Sequence, residues 1–320
     1  MNGPTETPPM SLTRIDTHHH IVPPNYKAWL ARQGIAAGGR AIPDWSADAA
    51  LELMSRIGVT RSILSVSTPG VHLGDDTLAR RWAREVNEFA ARVRADRPAQ
   101  FGFFATLTLP DVDGALAEAA HAFDVLGADG VVLLASVRGS YLGDAAIEPL
   151  MEELNRRAAV IFVHPSELNA PPPPDIPPFA ADFLLDTTRA AIHMARAGWL
   201  ERYPHVRIIL SHAGGFVPYA AERIARTCSE RGDTAHGIER LRRYYFDTAL
   251  SSSAYALPSL LAFADPTHIT FGSDWPYAPA ERSQHFAQLL DAYPLTPGQR
   301  RAIDHDSAGS MEKKKQEGYF

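Results

Sequence analysis

Cysteine is almost absent from this sequence. A single residue, Cys228 in "ERIARTCSE", rules out an internal disulfide, and nothing calls for an oxidising compartment; its neighbours have a helical pattern that predicts a buried structural thiol. Long apolar runs are missing as well. No stretch approaches the roughly 18 apolar residues that a membrane span needs, and the start, "MNGPTETPPMSL", has no basic end leading into an apolar segment. No membrane contact and a cytoplasmic location are expected. There is no basic stripe either: the net charge is −6, so phosphates find no footprint and a nucleic-acid partner is not expected. A doubly wound open sheet would usually announce a nucleotide with a glycine-rich turn after its first strand, and here that turn is "THHHIVPP".

What is present fits a globular α/β protein. The chain has 320 residues, 45% of them apolar and 21% charged, enough for one large domain with a sizeable core. Eight short apolar and β-branched runs recur at 11–18, 60–67, 100–109, 129–136, 158–165, 206–213, 244–251 and 268–275. Each precedes a loop and a segment of helical period. Several are nearly continuous apolar runs, as parallel strands buried on both faces should be. "SADAALELMSRIG" predicts a helix with Ser46 as N-cap and Gly58 just past its end, and "DVDGALAEAAHAFDVLG" repeats the device from Asp111 to Gly127. Eight alternations predict a (β/α)8 barrel as one domain over 12–308. It would be preceded by a disordered segment over 1–11 and followed by a polar tail over 309–320, a natural extension or a cloning scar. Residues 25–45 read as a long first loop, and the Pro-rich "NAPPPPDIPP" as a loop at the barrel mouth.

Unusual polar residues fall at the strand ends. His18 and His20 close the first run, His164 the fifth, His212 the sixth and Asp274 the eighth. A barrel gathers all those ends on one rim. Side chains at i and i+2 of an extended chain share a face, so His18 and His20 can bind one ion while His19 turns away. Histidine nitrogens with a carboxylate oxygen and an open position make a catalytic metal site. His18, His20, His164 and Asp274 supply that set, which leaves His212 for acid/base work suited to its titration near neutral pH. An affinity-tag origin for the triplet is opposed by its flanks, "LTRID" and "IVPPNY". In "HAGG", Gly214 and Gly215 would let the backbone approach a ligand closely.

The stretches "IDTHHHIVPP", "VIFVHP", "LSHAGGFVPYAAERI" and "ITFGSDWPYAP" together resemble the amidohydrolase superfamily. The likeness runs from about Ile15 to Ser307 and is greatest to the branch of aminocarboxymuconate-semialdehyde, γ-resorcylate and 6-methylsalicylate decarboxylases. The resemblance implies a metal-dependent barrel in which His18, His20, His164 and Asp274 hold one divalent ion, zinc first and manganese second, with His212 beside metal-bound water. It also implies a homodimer. No lysine ends "VVLLAS", so the carbamylated lysine of binuclear relatives has no source and one metal is expected. Histidine at His18, where some aromatic-acid decarboxylases carry glutamate, fits the zinc pattern.

The activity expected is non-oxidative decarboxylation of a small aromatic or cyclic carboxylic acid with an ortho oxygen. Asp274 and His212 are the expected catalytic groups. Trp275, Phe216 and Tyr26 are candidates for an apolar wall around the ring, and Arg189 for pairing with a substrate carboxylate. For Arg189 the alternative is an ion pair with Asp186 at helical spacing, and for Arg40 a surface ion pair is the favoured reading. A lactonase or amidohydrolase on the same scaffold is the alternative activity, since a metal can lower the pKa of water or polarise a substrate oxygen. A metal-binding barrel without catalysis is a third reading, which nothing in the sequence favours.

Overall fold

The structure is a computed structural model that describes residues 13–230 and 232–311. The expected disordered lead over 1–11, and the expected tail from 312 on, lie outside those residues.

Eight parallel strands follow in chain order: β1 (Arg14–His20), β2 (Val59–Ser65), β3 (Phe101–Thr106), β4 (Gly130–Leu134), β5 (Val160–His164), β6 (Arg207–Leu210), β7 (Tyr245–Asp247) and β8 (Ile269–Thr270). Each pairs with the next. The ring closes where the chain beyond β8 lies along β1: Thr17 N–H donates to Phe271 O at 3.0 Å and His20 N–H to Trp275 O at 2.7 Å. The eight runs and the barrel expected from them are all present. Only the ends differ: β1 runs on to His20, whereas β6 and β8 stop short of His212 and Asp274.

The expected long loop after β1 is instead partly helical. Pro24 opens a helix α1 (Pro24–Arg32) that buries Tyr26, Trp29 and Leu30. Ser46 caps α2 (Ala47–Arg56) by accepting from Ala49 N–H. The next helix, α3 (Asp76–Asp96), stacks Trp82 on Trp29 of α1 with ring centroids 4.7 Å apart. Asp111 caps α4 (Val112–Asp124) through Gly114 N–H, so both capped helices begin where their sequences predict.

Two apolar cores result. The larger fills the space between strands and helices. The smaller fills the barrel itself with Ile15, Ile63, Phe104, Val132, Val160, Phe162 and Ile209, floored by Ala308 and Met311. Met311, which falls in the expected tail, is therefore packed into the barrel floor. Ile15 and His18 both face the interior although three residues apart. A register shift between Asp16 and His19 in the β1–β2 pairing reconciles them. At the same floor the fully buried Arg14 donates to Asp304 at 2.7 Å, to Ile57 O at 3.0 Å and to Asp291.

Candidate active site

Period-2 alternation on β5 puts Val160, Phe162 and His164 on the barrel's inner face, the first two in the core and His164 just above it. The His18 ring meets Phe162 edge-on at 4.9 Å, His20 at 4.9 Å and His164 at 5.3 Å. Asp274 joins them from beyond β8: its N–H donates to His18 O at 2.8 Å, and it adopts a left-handed φ of 59°. One ligand atom from each of His18, His20, His164 and Asp274 lies within 4.8 Å of the others, and all four residues are buried. The four residues expected to form the set are thus together.

Hydrogen bonding fixes what these rings present. His18 Nδ1–H donates to Asp247 Oδ2 at 2.6 Å, His20 Nδ1–H to Ser65 O at 3.2 Å and His164 Nδ1–H to Pro165 O at 2.9 Å. Each imidazole therefore turns an Nε2 lone pair inward, with the tautomer held by its outer partner. His18 Nε2 and His20 Nε2 are 3.1 Å apart, and Asp274 Oδ1 lies 3.1 Å from the first and 3.2 Å from the second. Three lone-pair donors at such distances repel one another unless a positive charge stands among them, so this donor set fits a divalent cation. A proton on His18 Nε2 can stand in for that charge, because the carboxylates around the ring favour its protonated form. Burial alone would lower His18, but Asp247 and Asp274 outweigh it and raise its pKa to about 10. Burial and the His18 charge bring His20 down to about 4. Burial and the neighbouring histidines push His164 well below its usual value. Although burial would raise Asp274, its bonds from the histidines hold it well below the usual carboxylate range.

His212 stands beside this group, with Nε2 3.6 Å from Asp274 Oδ2 and Nδ1 buried without a partner among the described residues. Its backbone is turned: His212, Ala213, Gly214 and Gly215 all have φ between 53° and 73°. Both glycines are packed closely against the protein, and Gly215 also lines the cavity above the cluster. A Cβ on Gly215 would meet Leu184 O at 2.2 Å, and one on Gly214 the Phe246 ring at 2.8 Å.

Asp247, which the sequence reading passed over, ties the site together. Besides His18 it accepts the backbone N–H groups of His212 and Ala249, each at 2.9 Å. It ends β7, so the rule that picked out the ends of strands one, five, six and eight would have found it. Asp16 holds the other side, accepting from His18 N–H, Ser273 N–H and His19 Nδ1–H at 3.0 to 3.2 Å. His19 itself faces away, with its ring 5.0 Å from that of Trp275.

A cavity of about 700 Å3 opens above the cluster, with His164, His212, Asp274 and Tyr277 at its base. Tyr277, also missed, meets His20 edge-on at 5.3 Å; burial and the Asp274 charge raise its phenol pKa, keeping it a neutral donor. Of the expected ring contacts, Phe216 lines the cavity. The others lie elsewhere. Tyr26 is fully buried behind the wall and donates to Gly70 O at 2.6 Å. Trp275 is buried against His19, because its side chain leaves β1's neighbour on the face opposite Asp274. Arg189 lies on the exposed face of the helix Asp182–Arg196 and reaches Tyr141 Oη at 3.4 Å. Asp186 makes no direct ion pair with it: the carboxylate is buried and accepts from Ser136 Oγ–H and Ser166 N–H, each at 2.8 Å, and feels the Arg189 charge across Tyr141. Arg40 reverses its expectation: it lines the cavity with its guanidinium 4.2 Å over the Phe179 ring.

Comparison with known proteins bears on this geometry. The profile of the amidohydrolase family matches residues 15–309. A 6-methylsalicylic acid decarboxylase of Penicillium expansum is 39% identical, over 93% of this chain and 95% of its own length. One from Aspergillus aculeatus is 37% identical, over 87% and 88%. Among solved structures, one described as an amidohydrolase II superposes with a TM-score of 0.89 at 31% identity, covering 93% of this chain and 99% of the other. A dihydroxybenzoic acid decarboxylase from Polaromonas, solved with manganese and 2-nitroresorcinol, superposes at 0.79 with 22% identity over 93% and 96%, a likeness of fold. The barrel, the family profile across nearly all of it and close relatives along its length place the chain in the amidohydrolase family.

Proposed function

We propose that the protein is a metal-dependent, non-oxidative decarboxylase of a small aromatic or cyclic carboxylic acid bearing an oxygen ortho to the carboxylate. The observation that carries this reading is the convergence of three Nε2 lone pairs and one carboxylate at the base of a largely apolar cavity. The names of the two fungal relatives point to the same reaction class. His18, His20, His164 and Asp274 would hold the ion, zinc in the first place and manganese in the second; the Polaromonas structure contains manganese. A divalent ion there would polarise the carboxylate and ortho oxygens and stabilise charge as the ring is protonated.

The chain's own residues supply the rest. Asp274 Oδ2, free of the Oδ1 contacts, lies 3.6 Å from His212 Nε2, so the pair can hold a proton at the cavity base and pass it to the ring carbon that bears the carboxylate. That carbon gains the proton, the bond to the carboxylate breaks, its electron pair restores the ring and carbon dioxide leaves. Tyr277, Phe183 and Leu250 exclude water from the ring's faces. A homodimer completes the proposal, on the strength of the family resemblance. Incubation of the metal-loaded protein with ortho-hydroxybenzoates tests it: carbon dioxide and the matching phenol should appear in equal amounts with no cosubstrate. Ring opening or amide cleavage without carbon dioxide refutes it.

A further inference from the structure

The cavity is too large for one ring. A hydroxybenzoic acid with a methyl group has about eleven non-hydrogen atoms. Even at the roughly 30 Å3 that a water molecule occupies in the liquid, such a molecule fills under half of the 700 Å3. One side of the cavity is formed by the loops after β6, β7 and β8. There the wall is Phe216, Tyr219, Tyr255, Ala256, Ser259 and Leu260, ending at Arg282.

Two features make this side a built apolar arm. Tyr255 and Tyr219 are 97% and 84% exposed and belong to this side with Phe216, while Phe179 faces the same cavity from the loop after β5; they are four of the seven exposed large hydrophobic residues among those described. All four line this one cavity, where scattered exposure would have spread them over the surface. The floor of the arm is also anchored. Leu257 and Leu260 of the helix Leu257–Phe263 are fully buried, which fixes the face that carries Ala256 and Ser259.

We propose that the preferred substrate carries an apolar extension, an alkyl chain or second ring of several carbons, which lies in this arm while the acid group sits at the four-residue cluster. The occupant is continuous with the reacting ring, and the arm has no acidic lining residue that would oppose it apart from Asp274 at the base. The inference rests on reading the site as that of an aromatic-acid decarboxylase. Each methylene buried should improve binding roughly threefold to fourfold.

The test is a series of 2-hydroxy-6-alkylbenzoic acids from methyl to hexyl, assayed on the metal-loaded protein for carbon dioxide release and, separately, for direct binding by calorimetry. Falling KM and Kd with each added carbon supports the arm. Ser259→Trp and Ala256→Trp, both at half-buried positions, should each cut the hexyl-to-methyl ratio of kcat/KM by tenfold or more. Chain-dependent binding without carbon dioxide release keeps the arm and removes the assigned reaction. Turnover of the methyl acid with no gain along the series overturns the arm and leaves the reaction standing, and so does a subunit contact that covers Tyr219 and Tyr255 and cancels the gain. Absence of binding by every acid overturns both.

Discussion

Asp247→Asn removes one charge and changes one atom at the point where the four-residue cluster and His212 meet. The aspartate accepts three hydrogen bonds, from His18 Nδ1–H at 2.6 Å and from the N–H groups of His212 and Ala249 at 2.9 Å. An asparagine can satisfy only some of them. With its oxygen toward His18, its NH2 faces two backbone donors. With the oxygen toward the backbone, its NH2 faces His18 and drives the ring proton from Nδ1 to Nε2, the atom needed inside. Losing a hydrogen bond to a charged group costs about 1.5 to 3 kcal/mol, and partners behind metal-binding histidines are worth about 10- to 100-fold in metal affinity or activity. We therefore expect Asp247→Asn to bind zinc 10- to 100-fold more weakly in a chelator competition, with kcat/KM reduced in step and the melting temperature lowered by a few degrees. Metal affinity and kcat/KM both within twofold of the unsubstituted protein would refute the reasoning.

Further outcomes follow from other parts of the structure. Because His18 is raised to about 10 and its protonated ring has no lone pair to offer, metal entry at pH 8 should expel close to one proton, seen as buffer-dependent heat in calorimetry. Apparent affinity should weaken about tenfold for each unit that pH falls below that value, and an affinity that is flat from pH 7 to 9 contradicts this. Arg14→Met leaves Asp304 buried without its partner and should destabilise the fold by about 3 to 5 kcal/mol in denaturant titration; Arg14→Met with Asp304→Leu should recover part of the loss. Glu153 is held at about 2 by its bond to Arg156, then by Arg157, against a slight burial effect. Its folded value lies below the unfolded one, so its stabilisation is present above about pH 4.5 and disappears as pH falls through 2. Glu153→Gln should flatten that acid limb in thermal melts. His212→Asn should retain the metal and lose at least a hundredfold in kcat, since it stands beside the ligand set rather than within it.

Much of the site was legible because the barrel converts position in sequence into position in space. His18, His20, His164 and Asp274 each sit at the end of an apolar run, and a closed sheet leaves such residues only one rim to occupy. The same rule, applied to "YYFDTALS", would have exposed Asp247. The substrate wall was harder to read. Tyr26 and Trp275 have the right chemistry near the right motifs, yet α1 buries the first and strand alternation turns the second toward His19. Arg189 lay on a helix whose inward face was already taken by Asp186 and the threonines beside it. Arg40 and Tyr277 belong to loops whose course depends on what they pack against, and local patterns say little about that.

The most direct test joins metal content to carbon dioxide release in the unsubstituted protein, in His164→Ala and in Asp274→Asn. The structure predicts about one divalent ion per chain and carbon dioxide from an ortho-hydroxybenzoate in the first. Both should be lost in the two variants while the barrel's circular dichroism is kept. Turnover that survives complete loss of the metal, or variants that keep both metal and activity, would contradict it.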